Sequence, residues 1–499
     1  VFRRTFLSTL GVALAGALPG QQNPKFQANP FSLGVASGDP ASDGFVLWTR
    51  LLHAGLREPV PVRWVVASDD RCTKIVKQGT AVASASLGHS VHVEVAGLAP
   101  DRPYWYRFDV AGEESPVGRT RTAPAAGASL DRLRFAFASC QHYETGFYTA
   151  YQHMVREDLD LILFLGDYIY EDGARLDRVR LHRGSEIMTL DDYRNRYVQY
   201  KSDPLLQAAH AHAPWIVTWD DHEVDNDYAA AHHERGMPRD AFLTRREAAY
   251  QAYYEHMPLR LSALPKGPDM QLYRRIPYGQ FATFHVLDTR QFRDAQPCGG
   301  SGTRPSCPES RDTKRSILGA AQTRWLFEGL DRSSARWNIL ANQVIFAPAD
   351  FRAGADVGFS MDKWSGYEHS RRQVMDFLAA RKPRNPVVIT GDVHSNWAFD
   401  LRRDWQNPKS DSLGVEFVGT SISSSGDGQD QRPDTALQLS ENPHLHFFNA
   451  QRGYVRCDLT ARQWRTDYRV LPYVSWPGAP IGTRASFVVA DGSPVLQKA

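Results

Sequence analysis

Residue types that bind metals or move protons recur at one kind of place in this chain, directly after short apolar runs. LRFAFA stops at Ser139-Cys140, LDLILFL at Gly166-Asp167, PWIVTW at Asp220-Asp221-His222, FATFHVL at Asp288, WNILA at Asn342-Gln343 and NPVVIT at Gly391-Asp392. Tyr170, Glu223, Asp225, Asn226, Asp227 and His394 follow within a few positions. Carboxylate, amide, imidazole, phenolate and one thiolate are metal-binding groups. Hard oxygens dominate the set, which favours Ca, Mg, Mn or Fe(III), and the paired CxxC spacing of structural zinc is missing. No G-x-S-x-G elbow, P-loop or G-x-G-x-x-G is present. A lone cysteine at a strand end is usually a buried structural residue. Asp167 and Asp392 stand out, because each follows a strand-Gly pair and His394 lies two residues beyond the second.

The apolar runs are the elements that must position these groups. Near-continuous hydrophobic stretches predict strands buried on both faces, as in α/β architectures, with helices between them. In such sheets ligands gather beyond the carboxyl ends of the strands. Thr189-Leu190-Asp191-Asp192 has capping-box spacing and predicts a helix continuing through YRNRYVQY. Residues 30–125 differ in texture. FVLWTRL, VRWVVAS, HSVHVEV and YWYRFDV are short strand-like runs between turn signals, which predicts a small β-sandwich. VEVAGLAPDRPYWYRF resembles the late strands of a fibronectin-type-III module. RTRTAPAAGASLDR reads as a linker, and a second unit runs over 132–475. Residues 476–499 read as a tail without a motif.

The chain has 499 residues, with 58 Lys+Arg against 56 Asp+Glu. Arg3 and Arg4 account for the excess, so the rest is balanced, which argues against nucleic-acid binding by bulk charge. Arg3-Arg4, a mild apolar run from Phe6 to Leu18 and small residues near its end form a signal-peptide pattern over residues 1–20. The arginine pair resembles a twin-arginine signal, which exports folded protein; an ordinary secretory signal or a short anchor is the alternative. No later segment is apolar enough for a transmembrane anchor in the mature chain. Five cysteines are too few for a disulfide scaffold. Cys298 and Cys307 flank GGSGTRPS and predict a local disulfide in an oxidising compartment, whereas Cys72 and Cys457 are either single or paired.

The ordered stretches FSLGVASGDPASDGFVLWTRL, RFAFASCQ, LILFLGDYIYE, WDDHEVDND, LDTRQFRD, NQVIFAP, MDKWSGYE, ITGDVHSNW and EFVGTSISSSG resemble the PhoD-like alkaline phosphatases and phosphodiesterases over residues 31–426. The resemblance implies an α/β fold: a metallophosphatase-like β-sandwich flanked by helices, preceded by a fibronectin-III-like β domain. It implies twin-arginine export to the periplasm or outside the cell, an Fe(III) and Ca2+ site, and phosphate-ester hydrolysis. Cys140, Asp167, Tyr170 and Asp392 are the implied iron ligands. Asp167 would bridge to calcium, Asn226 would also bind calcium, and Asp221 is a further candidate ligand. His394 is the implied phosphate- or proton-handling residue. Some relatives carry Arg directly after the Gly-Asp aspartate. Here that residue is Tyr168, which can still donate a hydrogen bond.

The physical logic is that two cations ~3.5–4 Å apart neutralise phosphoryl oxygens and activate a water. A phosphodiesterase of phospholipase-D-like character with little monoesterase action is the nearest alternative. A non-catalytic extracellular metal- or phosphate-binding protein is a second. Substrate choice is expected in the loops around 173–188, 228–245, 293–313 and 351–366. Arg290 reads as a structural ion-pair residue, Asn342 as a rim amide, and Lys363 and Trp364 as entrance or packing residues.

Overall fold

The structure, a computed structural model, describes residues 26–499. The signal expected over residues 1–20 lies outside the described residues. All six apolar runs are strands, and every residue in five of them is buried. Arg132–Ala138, Leu161–Leu165 and Trp215–Thr218 run parallel in a ten-stranded mixed sheet. Ala282–Val286, Trp337–Ala341 and Pro386–Thr390 run parallel in a seven-stranded sheet. Successive side chains of a strand point to opposite faces, so each run serves two cores. Phe135, Phe137, Leu163 and Ile216 face Phe284, Ile339, Val387 and Ile389 between the two sheets. Ala136, Ile162, Phe164 and Val217 face the other way, toward the helices Leu190–Lys201, Pro204–His212 and Arg239–His256. Leu340 and Val388 face the helices Gly319–Asp331 and Glu368–Arg381 on the far side. The result is a β-sandwich flanked by helices. Thr189 caps the first of these helices reciprocally with Asp192.

The amino-terminal region is less separate than its sequence texture suggests. Val60–Ala67, Ile75–Ala83 and Pro103–Val110 belong to a small sheet of their own. Val35–Ala41, Gly44–Arg50 and Ser90–Val95 pack against it through Val35, Phe45, Val62, Val66, Tyr106 and Phe108. Those three strands are also the edge of the ten-stranded sheet, joined where Gly38 pairs with Trp215. Gly38 has no room for a side chain, since a Cβ there would lie 2.7 Å from the Trp215 carbonyl oxygen.

Two boundaries read from composition shift. Gly118–Arg121, partly within the expected linker, is a strand paired with Pro103–Val110. Its long-range pairing overrides a loop-like composition. Residues 476–499 supply the strand Gly482–Ala490, paired along its length with Gln463–Leu471. Phe487 and Val489 bury into the inter-sheet core there. Cys298 and Cys307 form a disulfide, while Cys72 and Cys457 are separately buried thiols. Among the described residues, no helix is long and apolar enough to cross a membrane.

Candidate metal centre

The carboxyl ends of the parallel strands from both sheets meet at one rim, and glycines make the approach possible. Gly166, at φ 111°, sits so close to the next strand end that a Cβ would fall 2.6 Å from the Asp220 backbone nitrogen. A Cβ on Gly391 would lie 2.4 Å from Ser139 Oγ, across the two sheets. Each strand-Gly-Asp motif is therefore a glycine that lets two strand ends touch, followed by the acid placed at the contact. Cys140, Asp167, Asp392 and His394 all adopt left-handed backbone, with φ of 58°, 58°, 67° and 52°. Non-glycine residues in that region are uncommon, and clusters of them mark functional sites.

Asp167 stands at the centre. One ligand atom each from Cys140, Asp167 and His394 lie within 4.8 Å of one another, and so do those of Asp167, Asp221 and His222. The two groups share Asp167. Its Oδ2 accepts from Tyr170 Oη at 2.9 Å, while its buried Oδ1 has no hydrogen-bond partner. Tyr170 is buried; its Oη accepts from Ser424 Oγ at 2.7 Å and lies 3.3 Å from His394 Nε2. His394 Nδ1 contacts Ser425 Oγ at 2.7 Å, and Arg452 donates to the carbonyl oxygens of His394 and Gly426.

Asp392 is seated differently. Its oxygens lie 2.6 and 2.5 Å from Lys363 Nζ. Asn226 is also turned aside: its side-chain amide donates to Glu234 at 2.9 Å and its backbone N–H to Glu171 at 2.8 Å. Tyr168 does not face the rim. It is buried among the helices, with its hydroxyl 2.7 Å from His210 Nε2, so the hydrogen bond it can donate is not available to a ligand here. The aromatic ring after Asp167 packs inward, into the helix-side core.

Several neighbouring residues acquire their roles only through partners distant in sequence. His222 stacks on Tyr170 with ring centroids 4.1 Å apart, and its Nδ1 contacts Glu171 Oε2 at 2.7 Å. That leaves Nε2 for a ligand. Glu223 accepts the backbone N–H groups of Asp167, Tyr168 and Asp220, tying two strand ends together. Arg290 is fully buried and reaches Asp220 at 2.5 Å, Asp362 at 2.9 Å and Asp221 at 3.6 Å. It is an ion-pair residue, as its sequence context suggests. Asn342 is structural, donating to the Val344 carbonyl oxygen and accepting from Trp364 Nε1. Trp364 is core rather than entrance.

The electrostatics fit a cation site. Burial pushes the Cys140 thiol up, with the Asp167 charge adding to it. Burial likewise raises Asp167, Tyr170 and Asp392 above their ordinary ranges, the last against the pull of Lys363. For His222 burial acts downward, but Glu171, Asp167 and Asp221 outweigh it and raise the imidazole well above its ordinary value. Anionic donors crowded in a dry pocket resist ionising until positive charge compensates them. The unpartnered Asp167 Oδ1 and the mixed thiol, carboxylate and imidazole set suit two metal ions sharing one bridging carboxylate.

Comparison with known proteins agrees with this architecture. The family model described as "PhoD-like phosphatase" matches residues 135–468, and that of its N-terminal domain matches residues 15–124. Alkaline phosphatase D of Bacillus subtilis (strain 168) is 53% identical over 98% of this chain and 86% of its own length. A solved structure titled "Structure of PhoD" superposes with a TM-score of 0.93 at 54% identity, covering 95% of this chain and 93% of that one. With both models matched in order along most of its length, the chain belongs to the PhoD-like phosphatase family.

Proposed function

We propose that the protein is an exported, metal-dependent phosphoesterase that hydrolyses phosphate mono- or diesters at the Asp167-centred site. It is a hydrolase acting on phosphoric ester bonds. The observation carrying the metal-dependent reading is the sharing of Asp167 between two potential ligand groups. We assign Fe(III) to the Cys140, Asp167 and Tyr170 side, with Asp392 completing it, and Ca2+ to the Asp167, Asp221 and Asn226 side. His222 is added to the second group on geometry. A thiolate and a phenolate both favour a ferric ion. The architecture is read as a metallophosphatase-type sandwich with a fibronectin-III-like amino-terminal domain, and the location as periplasmic or secreted through the twin-arginine route.

Bound cations would supply charge neutralisation and an activated water for attack at phosphorus. The chain's own residues do the rest. Glu223 and Arg290 fix the strand ends from which Asp167 and Asp221 project. Ser424 and Asp167 orient the Tyr170 hydroxyl. His394 is half-buried, and its imidazole lies between Ser425 and Tyr170, where it can hold or pass a proton at the ester oxygen. Burial holds that imidazole down at about 3, so without metals it is a neutral acceptor.

Elemental analysis with activity before and after chelation tests the reading. We expect iron and calcium with the purified protein, loss of turnover of chromogenic monoester and diester on chelation, and recovery on metal return. Stoichiometric zinc without iron or calcium would overturn the metal assignment. Turnover that survives both chelation and Asp167→Asn would overturn the site.

A further inference from the structure

A cationic side chain can add to metal ions in clamping a phosphoryl group, and Tyr168 leaves the position after Asp167 without one. The buried arginines near the rim are already engaged. Arg290 and Arg293 are both fully buried and both bind Asp362, at 2.9 and 2.6 Å. Arg452 is occupied by backbone carbonyl oxygens. Lys363 differs in two ways. Its ammonium touches both oxygens of Asp392 and lies 3.4 Å from Asp362 Oδ2. Its backbone is pinned, whereas its side chain is a flexible four-carbon arm. Met361, Asp362 and Trp364 on either side are buried, and Gly366 closes a turn so tight that a Cβ would fall 2.1 Å from the Met361 carbonyl oxygen.

The pinned segment carries, on a four-carbon arm, an ammonium held between Asp392 and Asp362. If Asp392 turns to a metal, its present partner loses that contact but keeps Asp362 as an anchor. Asp362 is itself held by Arg290, Arg293 and Gln296. The ammonium then stands beside the ligand cluster with donors to give.

We propose that Lys363 is an exchanging phosphate contact: it neutralises Asp392 while the site holds no metal, and moves to a non-bridging oxygen of the ester when a metal takes that carboxylate. The proposal rests on the metal-dependent phosphoesterase reading above. It has two consequences that separate. Lys363 competes with metal for Asp392, and it adds affinity for phosphate once metal is bound. A monoester, with more charge on its terminal oxygens, gains more from it than a diester.

The test compares wild type, Lys363→Met and Lys363→Arg, with inorganic phosphate binding to the metal-loaded proteins measured by calorimetry and metal affinity measured against a chelator. In Lys363→Met, phosphate affinity is expected to fall roughly 10- to 100-fold, the worth of one charge-assisted hydrogen bond. Metal is expected to bind several-fold more tightly, and KM to rise more for a monoester than for a diester. Lys363→Arg is expected to keep phosphate affinity within a few-fold of wild type. Unchanged phosphate affinity in Lys363→Met, in a wild type that binds phosphate and metal, overturns the assignment of Lys363 alone. Equal loss of metal and phosphate in both variants does so too, by showing a structural prop. A wild type that binds neither phosphate nor metal overturns the phosphoesterase reading and this proposal with it.

Discussion

Each candidate ligand is held by neighbours that do something different from it. Arg290 shows this most clearly. It is a buried guanidinium facing Asp220, Asp362 and Asp221, so removing it leaves several buried carboxylates uncompensated. Breaking a buried ion pair from one side costs about 3–5 kcal/mol. Arg290→Met should therefore lower unfolding free energy by about that amount in denaturant titrations and lower metal content at equal protein concentration. Near-wild-type stability would show that water compensates those acids. At this scale the sequence is informative where chemistry is local. Asp167 and Asp392 announce themselves by a glycine and a strand end, whereas Arg290 shows only the turn Asp288-Thr289-Arg290, its acid partners Asp220 and Asp362 lying 70 and 72 positions away. His222 sits in WDDHEVDND, seven of whose nine residues are polar, and what singles it out among them is a stack on Tyr170 and a contact with Glu171, 51 positions away. Tyr168 is misleading for the same reason. Asp167 before it faces the rim, but Tyr168 and Ile169 pack into the helix-side core, where the partner of Tyr168, His210, lies.

At the scale of elements, the rim depends on strand ends that approach more closely than side chains permit. Gly166→Ala would place a methyl group 2.5–2.6 Å from Asp220 in a backbone region that disfavours it. We expect kcat/KM to drop by more than about 100-fold, in line with the cost of misplacing a positioned group by ~1 Å. Gly302→Ala, in open space, should be neutral. An active Gly166→Ala enzyme would mean that the Asp220 turn yields without disturbing Asp167. The six apolar runs were readable as strands because both of their faces are buried, and the helix after Thr189 because its capping is local. Val35–Ala41 was not readable, since VASGDPA has no apolar run; its partners in the sheet make it a strand. The strand Gly118–Arg121 is likewise created by its pairing rather than by its composition.

At the scale of the whole molecule, the shared ten-stranded sheet makes the amino-terminal region part of the catalytic unit's edge. The seam is polar as well as apolar. Trp48 Nε1 donates to the Glu255 carbonyl oxygen at 3.0 Å. His256 Nδ1 contacts the Ala252 carbonyl oxygen at 2.6 Å and its Nε2 meets Arg50 at 2.5 Å, a pattern met by the neutral imidazole. His92 stacks on Tyr254 across the same seam. Burial pushes His256 well below its ordinary value, and pushes His92 down to about 4. Both are more acidic folded than unfolded. Their contribution to stability is thus present above the unfolded histidine value of about 6.5 and is lost as pH falls from there toward 4, at up to about 1.4 kcal/mol per pH unit for each proton. Stability measured by denaturant at pH 7.5, 6 and 5 should decline across this window. His92→Phe should flatten part of the decline. A wild type as stable at pH 5 as at pH 7.5 would show that the seam does not exclude protons. Sequence texture separates the two regions here, because a sheet shared across the boundary between them leaves no mark on either side.

The left-handed backbone at Cys140, Asp167, Asp392 and His394 sets the direction in which laboratory selection would pull this enzyme. At such positions a glycine relaxes the main chain, by about 1 kcal/mol or more where the native side chain is tense. A screen for heat resistance alone would therefore reward the very replacements that empty the pocket. Robustness and turnover compete at the same four alpha carbons, so any campaign to harden the protein must be scored on catalysis in every round.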